Sequence, residues 1–157
     1  MAEHIQEGTE VWLKMPYGSF CIAPEADMQT VLIAGGSGIT PFVSFLEQAC
    51  DSKVQNAIRL FYGVRTRKHM IFESIIRECE TRLPDFKVWL FLESEKDTEG
   101  LAYRKSSLRF ELIWDLLQRP DTSTYYLSGP LAMLTSFSSK LAEKGVSSEN
   151  IRTDDWK

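Results

Sequence analysis

The stretch Thr30-Val-Leu-Ile-Ala-Gly-Gly-Ser-Gly-Ile-Thr-Pro41 decides the fold class of this 157-residue chain. Its first five residues form a short apolar run without polar alternation, which is typical of a strand buried on both faces of a sheet. The glycine-rich segment then ends the strand. Pro41 suits the first turn of a helix, where the N–H that proline lacks has no intrahelical partner. The stretch therefore predicts a buried strand, a tight turn and a helix in succession.

The same alternation of strand and helix continues toward the end of the chain. Short apolar runs predict further strands, and apolar residues at helical spacing predict helices between them. These strands are expected at residues 57–62, 86–92, 124–127 and 151–153. Such alternation is the signature of a parallel sheet with helices on both faces. We therefore predict an α/β protein with a three-layer αβα architecture and a doubly wound parallel sheet of about five strands.

The first 22 residues differ in character from the rest. Two short apolar segments, residues 11–15 and 19–22, flank Pro16-Tyr17-Gly18. This pattern predicts two short strands around a turn. We expect a short β-hairpin in front of the sheet and place the domain boundary between residues 27 and 28.

Composition and charge argue against several classes of protein. The chain has 18 basic and 22 acidic residues and a formal charge of −4, which is unlike the basic footprint of a nucleic-acid binder. Its apolar runs are far shorter than the roughly 20 residues of a membrane span. The acidic, polar start resembles neither a signal peptide nor a transit peptide. We therefore expect a cytoplasmic protein without a membrane span.

The three cysteines, Cys21, Cys50 and Cys79, lack the spacing of a metal site. No two of them form a CxxC pair, and no histidine stands at ligand distance in the sequence. We expect no metal and interpret all three as partly buried small apolar residues. An odd number of cysteines without a signal peptide also fits a reducing cytosol.

The glycine-rich loop has the chemistry of a phosphate site. Glycine lets the backbone approach a ligand closely, and a helix N-terminus offers N–H groups and partial positive charge to a phosphate. Ser37 and Thr40 add hydroxyl donors. The loop lacks the ending of a Walker A motif, and Pro41 stands at the third position of GxGxxG. Loop chemistry alone leaves phosphate binding and a plain strand–helix turn both open.

Four motifs occur in one order along the chain: MPYGSF at residues 15–20, VLIAGGSGITPF at 31–42, LFYGVRT at 60–66 and YLSGPLAM at 126–133. Together they resemble the ferredoxin–NADP reductase superfamily, in particular its C-terminal NAD(P)-binding domain. The resemblance covers about residues 10–156. It implies that residues 28–157 are an NAD(P)-binding domain, and that residues 1–27 are the closing strands of an FAD-barrel-like segment plus a linker.

The resemblance also implies roles for individual residues. In the family, the glycine-rich loop holds the dinucleotide pyrophosphate, here Gly35, Gly36, Ser37, Gly38, Thr40 and Pro41. Residues after the second and third strands face the adenosine half, here Arg65, Thr66, Ser94 and Glu95. A turn borders the nicotinamide, and an aromatic residue near the chain end lies by the flavin. The nicotinamide turn corresponds to Ser128, Gly129 and Pro130, and the aromatic to Trp156; Ser128 and Trp156 are the candidate catalytic residues.

The chain departs from the family pattern in ways that bear on the cofactors. Ser128 stands where the family usually has cysteine. NADPH-specific members often carry Ser-Arg where this chain has Ser94-Glu95. A carboxylate repels a 2′-phosphate and accepts hydrogen bonds from a ribose diol, so NADH is favoured over NADPH. The basic residues Arg65, Arg104 and Lys105 would instead favour NADPH.

The chain also departs from the family pattern in the motif that binds FAD. The family binds FAD on an N-terminal barrel with an Arg-x-Tyr-Ser/Thr motif, which this sequence lacks. We therefore expect FAD to come from an upstream domain of a longer flavoprotein or from another chain, and the isolated chain to be inactive without it.

The function that the resemblance implies is the NAD(P)H-binding module of a flavin-dependent oxidoreductase. Such an enzyme passes hydride from NAD(P)H to FAD and electrons onward to a carrier or redox partner. An alternative is a non-catalytic module that senses NAD(H) or serves interactions without turnover. A third interpretation is a doubly wound domain with an unrelated anionic ligand.

Overall fold

A computed structural model describes residues 8–12, 20–25, 27–94 and 103–154 of the chain. Strands and helices alternate within these ranges. In chain order they are β1 (Gln29–Gly35), α1 (Thr40–Ser52), β2 (Ile58–Val64), α2 (Glu73–Arg82), β3 (Phe86–Leu92), β4 (Tyr103–Arg104), α3 (Phe110–Leu116), β5 (Ser123–Ser128), α4 (Leu131–Glu143) and β6 (Ile151–Thr153). A 3₁₀ turn, Gly36–Ile39, joins β1 to α1.

The strands form one sheet in the order β4-β3-β2-β1-β5-β6, and every pairing is parallel. From β1 the chain winds outward through β2 and β3, and then returns to place β5 on the other side of β1. The winding therefore reverses between β1 and β5, which confirms the doubly wound prediction. The predicted five strands are present, and the two-residue edge strand β4 joins them.

Two apolar cores lie on the two faces of the sheet. Helices α1 and α2 cover one face, where Phe42 and Ile76 pack on strand residues such as Tyr62. Helices α3 and α4 cover the other face, where Phe110 and Phe137 pack on the same strands. This arrangement confirms the three-layer architecture. It leaves the carboxyl ends of the strands as the edge from which the connecting loops emerge.

The end of α4 shows how local sequence stops a helix. Gly145 has φ +87, a backbone conformation that glycine adopts without strain. Its N–H donates to the carbonyl of Ala142 at 2.9 Å, and the Val146 N–H donates to the carbonyl of Leu141 at 3.1 Å. These two bonds satisfy carbonyls that the helix would otherwise leave without partners. Gly145 thus completes the cap at the C-terminal end of α4.

The predicted N-terminal hairpin is not present in the described part of its range. Residues 20–25 form no strand, and residues 13–19 lie outside the described residues. Phe20 packs against Phe42 and Tyr126 instead. The Tyr126 hydroxyl accepts a hydrogen bond from the Ala23 N–H and donates one to the Ala23 carbonyl. Side-chain contacts with the sheet therefore hold this segment, where the sequence pattern predicted a β-ladder.

The cysteines divide into two groups. Cys50 and Cys79 are buried, as expected for small apolar residues, whereas Cys21 is exposed, so the prediction of partial burial was wrong for Cys21.

None of the helices in the described ranges combines the length and the hydropathy needed to cross a bilayer.

Candidate functional site

The reversal of the winding brings two predicted loops into direct contact at the carboxyl edge of the sheet. The loop after β1 contains Gly38, and a Cβ placed on Gly38 would collide with the carbonyl of Ser128 at the end of β5. A Cβ on Gly35 would lie 3.0 Å from Cδ of Pro130. The glycine-rich loop and the Ser128–Pro130 turn therefore form one continuous surface, at the position where doubly wound sheets bind ligands.

Two glycines of the loop serve different purposes. Gly36 has φ +59, and a Cβ placed there would meet nothing within 4 Å. Gly36 therefore satisfies a backbone conformation that disfavours other residues, and it faces open space that a ligand can enter. Gly38 faces the backbone of β5, so the lack of a side chain at Gly38 lets two loops of the protein pack together. From the sequence alone, both glycines are expected to have the same role, namely close approach to a phosphate.

The hydroxyl of Thr40 is engaged within the loop. It donates a hydrogen bond of 2.7 Å to the carbonyl of Ser37, and the Thr40 N–H donates to the same oxygen. The expectation that Thr40 donates its hydroxyl hydrogen to a ligand does not match this arrangement. Ser37 is exposed, and Pro41 lies in the first turn of α1 as predicted. Thr40 thus stabilises the turn at the start of the helix, and the Ser37 hydroxyl is the exposed one.

Ser128 is hydrogen-bonded to a carboxylate at the end of β6. Its hydroxyl donates to Oδ2 of Asp154 at 3.0 Å, and the Asp154 N–H donates to the carbonyl of Leu127 at 2.9 Å. Ser128 is only 2% exposed, whereas Asp154 is partly buried. Asp154 directly follows the last strand, at the end of the sheet where ligands are expected, but the sequence predicts no particular role for it.

The residues predicted for the adenosine half come together beyond β2 and β3. The Ser94 N–H donates to the carbonyl of Arg65 at 3.0 Å, and the Glu93 N–H donates to the carbonyl of Val64 at 3.2 Å. These bonds extend the parallel pairing past the ends of the strands. Arg65, Glu93 and Ser94 are all exposed, so a guanidinium, a carboxylate and a hydroxyl share this surface.

The loop between β2 and α2 is held in place by one hydrogen bond within the loop and one to a tyrosine of β2. The Thr66 hydroxyl is hydrogen-bonded to Nδ1 of His69 at 2.8 Å. The Tyr62 hydroxyl accepts a hydrogen bond of 3.3 Å from the Ile71 N–H. Burial raises the pKa of Tyr62, so this phenol stays protonated near neutral pH.

Two predicted site residues, Glu95 and Trp156, lie outside the described residues, and their roles stay predictions.

A family model and two known proteins match most of this chain. A family model for oxidoreductase NAD-binding domains matches residues 32–139. A flavohemoprotein from Rhizobium meliloti is 30% identical over 152 residues, covering 95% of this chain and 37% of that protein. A component of the Na(+)-translocating NADH-quinone reductase from Methylococcus capsulatus is 27% identical over 157 residues, covering 98% of this chain and 38% of that protein.

A solved structure has the same fold. A cytochrome P450 reductase from Amycolatopsis matches with a TM-score of 0.76 and 23% sequence identity, over 89% of this chain and 42% of that one. This likeness extends over both sides of the sheet, because the matched share takes in most of the chain. The chain thus spans less than half the length of each of these three proteins.

Proposed function

Because this chain belongs to the oxidoreductase NAD-binding domain family, we propose that it binds NADH along the carboxyl edge of its sheet and presents the nicotinamide to a flavin. The observation that carries the proposal is the direct contact between the glycine-rich loop and the Ser128–Pro130 turn. One dinucleotide can reach both loops because they lie close together, within the distance between its pyrophosphate and its nicotinamide. The family match spans both loops.

The pyrophosphate is assigned to the 3₁₀ turn Gly36–Ile39 that leads into α1, since the Thr40 N–H already donates to the Ser37 carbonyl and Pro41 has no N–H. The first N–H groups of a helix have no intrahelical partners and attract anions. Gly36 leaves open space beside them, so the backbone there has room for a phosphate oxygen. Ser37 supplies an exposed hydroxyl. Thr40 contributes indirectly, because its bond to the Ser37 carbonyl fixes the shape of the loop.

The nicotinamide is assigned to the turn after β5. The Ser128 hydroxyl gives its hydrogen to Asp154, so the lone pairs of its oxygen remain to accept a bond. The carboxamide of nicotinamide is a hydrogen-bond donor that suits such an acceptor. Gly129 has φ +152, and a Cβ placed there would press against Met133 and the backbone of Gly35, so glycine at this position lets the turn pack against the end of β1. Trp156 stays a predicted neighbour of the flavin.

NADH is proposed as the preferred form of the cofactor. Glu93 and Ser94, with Glu95 predicted beside them, follow β3, where the family reads the adenosine ribose. A carboxylate accepts hydrogen bonds from a ribose diol and repels a 2′-phosphate. The relative from Methylococcus capsulatus carries NADH in its name, which agrees with this choice. Arg65, whose carbonyl accepts a hydrogen bond from the Ser94 N–H, is an exposed cation that favours NADPH.

A flavin domain is the proposed partner. When bound, the nicotinamide supplies a hydride, and the flavin accepts it and releases electrons singly. The chain's own task is to hold and orient the dinucleotide. Because the relatives are more than twice as long, an FAD-binding domain in the same polypeptide or in another chain has a place in the complete protein. An electron carrier or redox domain then receives the electrons, and the cytoplasm stays the predicted location.

The similar proteins favour this function over a sensing module without turnover. Their names describe a reductase component and a reductase, which are proteins of electron transfer. No observation on the described part of this chain specifically supports a regulatory role.

The decisive experiment is a calorimetric titration of the purified chain with NADH and with ADP-ribose. We expect both to bind, because ADP-ribose retains the adenosine and pyrophosphate. Reduction of ferricyanide by NADH should stay at background with the chain alone, and should rise when an FAD-loaded barrel domain of a similar reductase is fused to its N-terminus. The absence of binding for both ligands would contradict the proposal.

A further inference from the structure

Helices α1 and α2 each carry a buried cysteine at the place where they pack together. Sγ of Cys50 lies 3.3 Å from Sγ of Cys79, and each residue is at most 1% exposed. The Cys79 sulfur also lies 3.9 Å from the carbonyl of Leu46. Both residues belong to the apolar core beneath the two helices. The proposed dinucleotide site makes no use of this pair.

We propose that Cys50 and Cys79 are a dithiol–disulfide couple, a modification site that joins α1 to α2 when it is oxidised. A disulfide needs its sulfurs at about 2.05 Å, so the two must approach by roughly 1.3 Å. Rotations about the two Cα–Cβ bonds supply movements of this size. The two helices that carry these cysteines are already in contact.

The two sulfurs are suited to a bond with each other and not to a metal. Among the described residues, no group of three or more histidine, cysteine or acidic side chains lies together. A pair of thiols without further ligands does not meet the four-ligand requirement of a structural zinc. Cys21, the remaining cysteine, is exposed and lies on the segment before β1, so it does not compete within the core.

The oxidant we name is a low-molecular-weight disulfide such as oxidised glutathione. One protein thiol, as its thiolate, attacks a glutathione sulfur, forms a mixed disulfide and releases one glutathione. The second protein thiol then attacks the protein sulfur of that mixed disulfide and releases the second glutathione. The two cysteines lose two electrons and two protons, and the glutathione disulfide gains them to become two thiols.

Burial makes this exchange slow in the closed structure. Removal from water, and then the hydrogen bond to Cys50, raise the pKa of Cys79, so its thiol is protonated near neutral pH. Thiolates carry out the exchange, and buried thiols react poorly. Oxidation therefore requires a local opening between α1 and α2, and the bond, once formed, holds the two helices closed.

The couple lies away from the dinucleotide edge. Cys50 follows Thr40 by ten residues of α1, which places it roughly 15 Å along the helix from its first residue, where the glycine-rich loop ends. Cys79 lies in the second half of α2. Oxidation at this end acts on the packing of the α1–α2 layer, and the proposal stands independently of the cofactor that the other end binds.

The test uses the full chain with Cys21→Ser, which removes the exposed thiol. The protein is equilibrated with reduced and oxidised glutathione, both folded and after refolding from denaturant in the same buffer. We expect the mass to fall by two hydrogens, the number of thiols titrated in denaturant to fall from two to none, and peptide mapping to join Cys50 to Cys79. The Tm should rise by roughly 5–10 °C, and dithiothreitol should reverse the change.

Matched variants distinguish this couple from two ordinary core residues. Cys50→Ala and Cys79→Ala in the same background should each keep one thiol and show no rise of Tm in the oxidising buffer. The proposal is overturned if the refolded Cys21→Ser protein still has two free thiols, if it carries glutathione adducts in place of the internal bond, or if the bond lowers the Tm.

Discussion

The hydroxyl of Ser128 donates a hydrogen bond of 3.0 Å to Oδ2 of Asp154, and so joins the carboxyl ends of β5 and β6. The bond fixes the direction of the only hydrogen on that hydroxyl. The lone pairs of the Ser128 oxygen are therefore left to accept a hydrogen bond. Asp154, for which the sequence predicts no role, thus determines how the predicted site residue Ser128 can form hydrogen bonds.

Ser128→Ala should weaken NADH binding by about three- to tenfold, the range expected for one neutral hydrogen bond. ADP-ribose, which lacks the nicotinamide, should bind equally well to the variant and to the wild type. The matched control is Ser123→Ala, because Ser123 is also buried on β5 and donates to the Arg119 carbonyl at 2.6 Å, at the other end of the strand. Equal losses for both ligands in Ser128→Ala would place this hydroxyl away from the nicotinamide.

The parallel sheet could be predicted because its strands are buried on both faces. Apolar runs such as residues 86–92, interrupted only by Lys87, leave little choice of structure, and the predicted bounds of that strand agree with the observed ones. The edge strand Tyr103–Arg104 has no such signal, because two residues are too few for a pattern. Residues 20–22 were wrongly assigned to a strand, since Phe20 packs on Phe42 and Tyr126.

The glycine-rich loop of the candidate site could also be predicted from the sequence. A glycine-rich loop after a buried strand indicates the binding edge, and the structure brings it against the Ser128 turn. The different tasks of Gly36 and Gly38 could not be predicted, because they depend on the neighbouring strand β5. The bond that Thr40 makes to the Ser37 carbonyl is equally a consequence of the folded loop.

Alanine substitutions at two glycines of the loop should separate binding from folding. A Cβ on Gly38 collides with the Ser128 carbonyl, so Gly38→Ala should lower the free energy of unfolding by about 1–3 kcal/mol, as overpacking does. Gly36→Ala has open space but an unfavourable φ of +59, and should cost about 1 kcal/mol. Its larger effect should be on ligands that contain the pyrophosphate.

Thermal unfolding and calorimetry with ADP-ribose measure the two effects on each variant. We expect Gly36→Ala to stay folded and to lose affinity beyond what its stability predicts. Unchanged ADP-ribose affinity in folded Gly36→Ala would show that the pyrophosphate does not approach this part of the loop.

Lys53→Gly should stabilise the protein by up to about 1 kcal/mol. Lys53 ends α1 with φ +51, in the left-handed region where a side chain costs energy and glycine does not. The side chain is exposed, so its removal loses little packing. The control is Gln48→Gly at an exposed position inside the same helix, which should destabilise by roughly 0.5–1 kcal/mol. Urea unfolding of both variants measures the difference, and effects of the same sign would contradict this account of the helix end.

The final prediction concerns the choice between NADH and NADPH. The two cofactors differ by the 2′-phosphate on the adenosine ribose, and a carboxylate about 4 Å from that phosphate costs roughly 1–4 kcal/mol, depending on screening. Glu93 is exposed beside the backbone of Arg65, and Glu95 follows it in the sequence. If the carboxylates face the ribose, NADH should bind about tenfold more tightly for each 1.4 kcal/mol.

Glu95→Arg should then recover NADPH binding, because a guanidinium pairs with a phosphate through two hydrogen bonds. Glu80→Arg is the matched control: Glu80 is exposed on α2, and its replacement changes the net charge by the same amount, so it should leave the ratio of the two affinities unchanged. Titrations of all three proteins with both cofactors at one ionic strength measure this ratio. A wild-type preference for NADPH, reduced by Arg65→Ala, would instead show that the basic side chain after β2 faces the ribose.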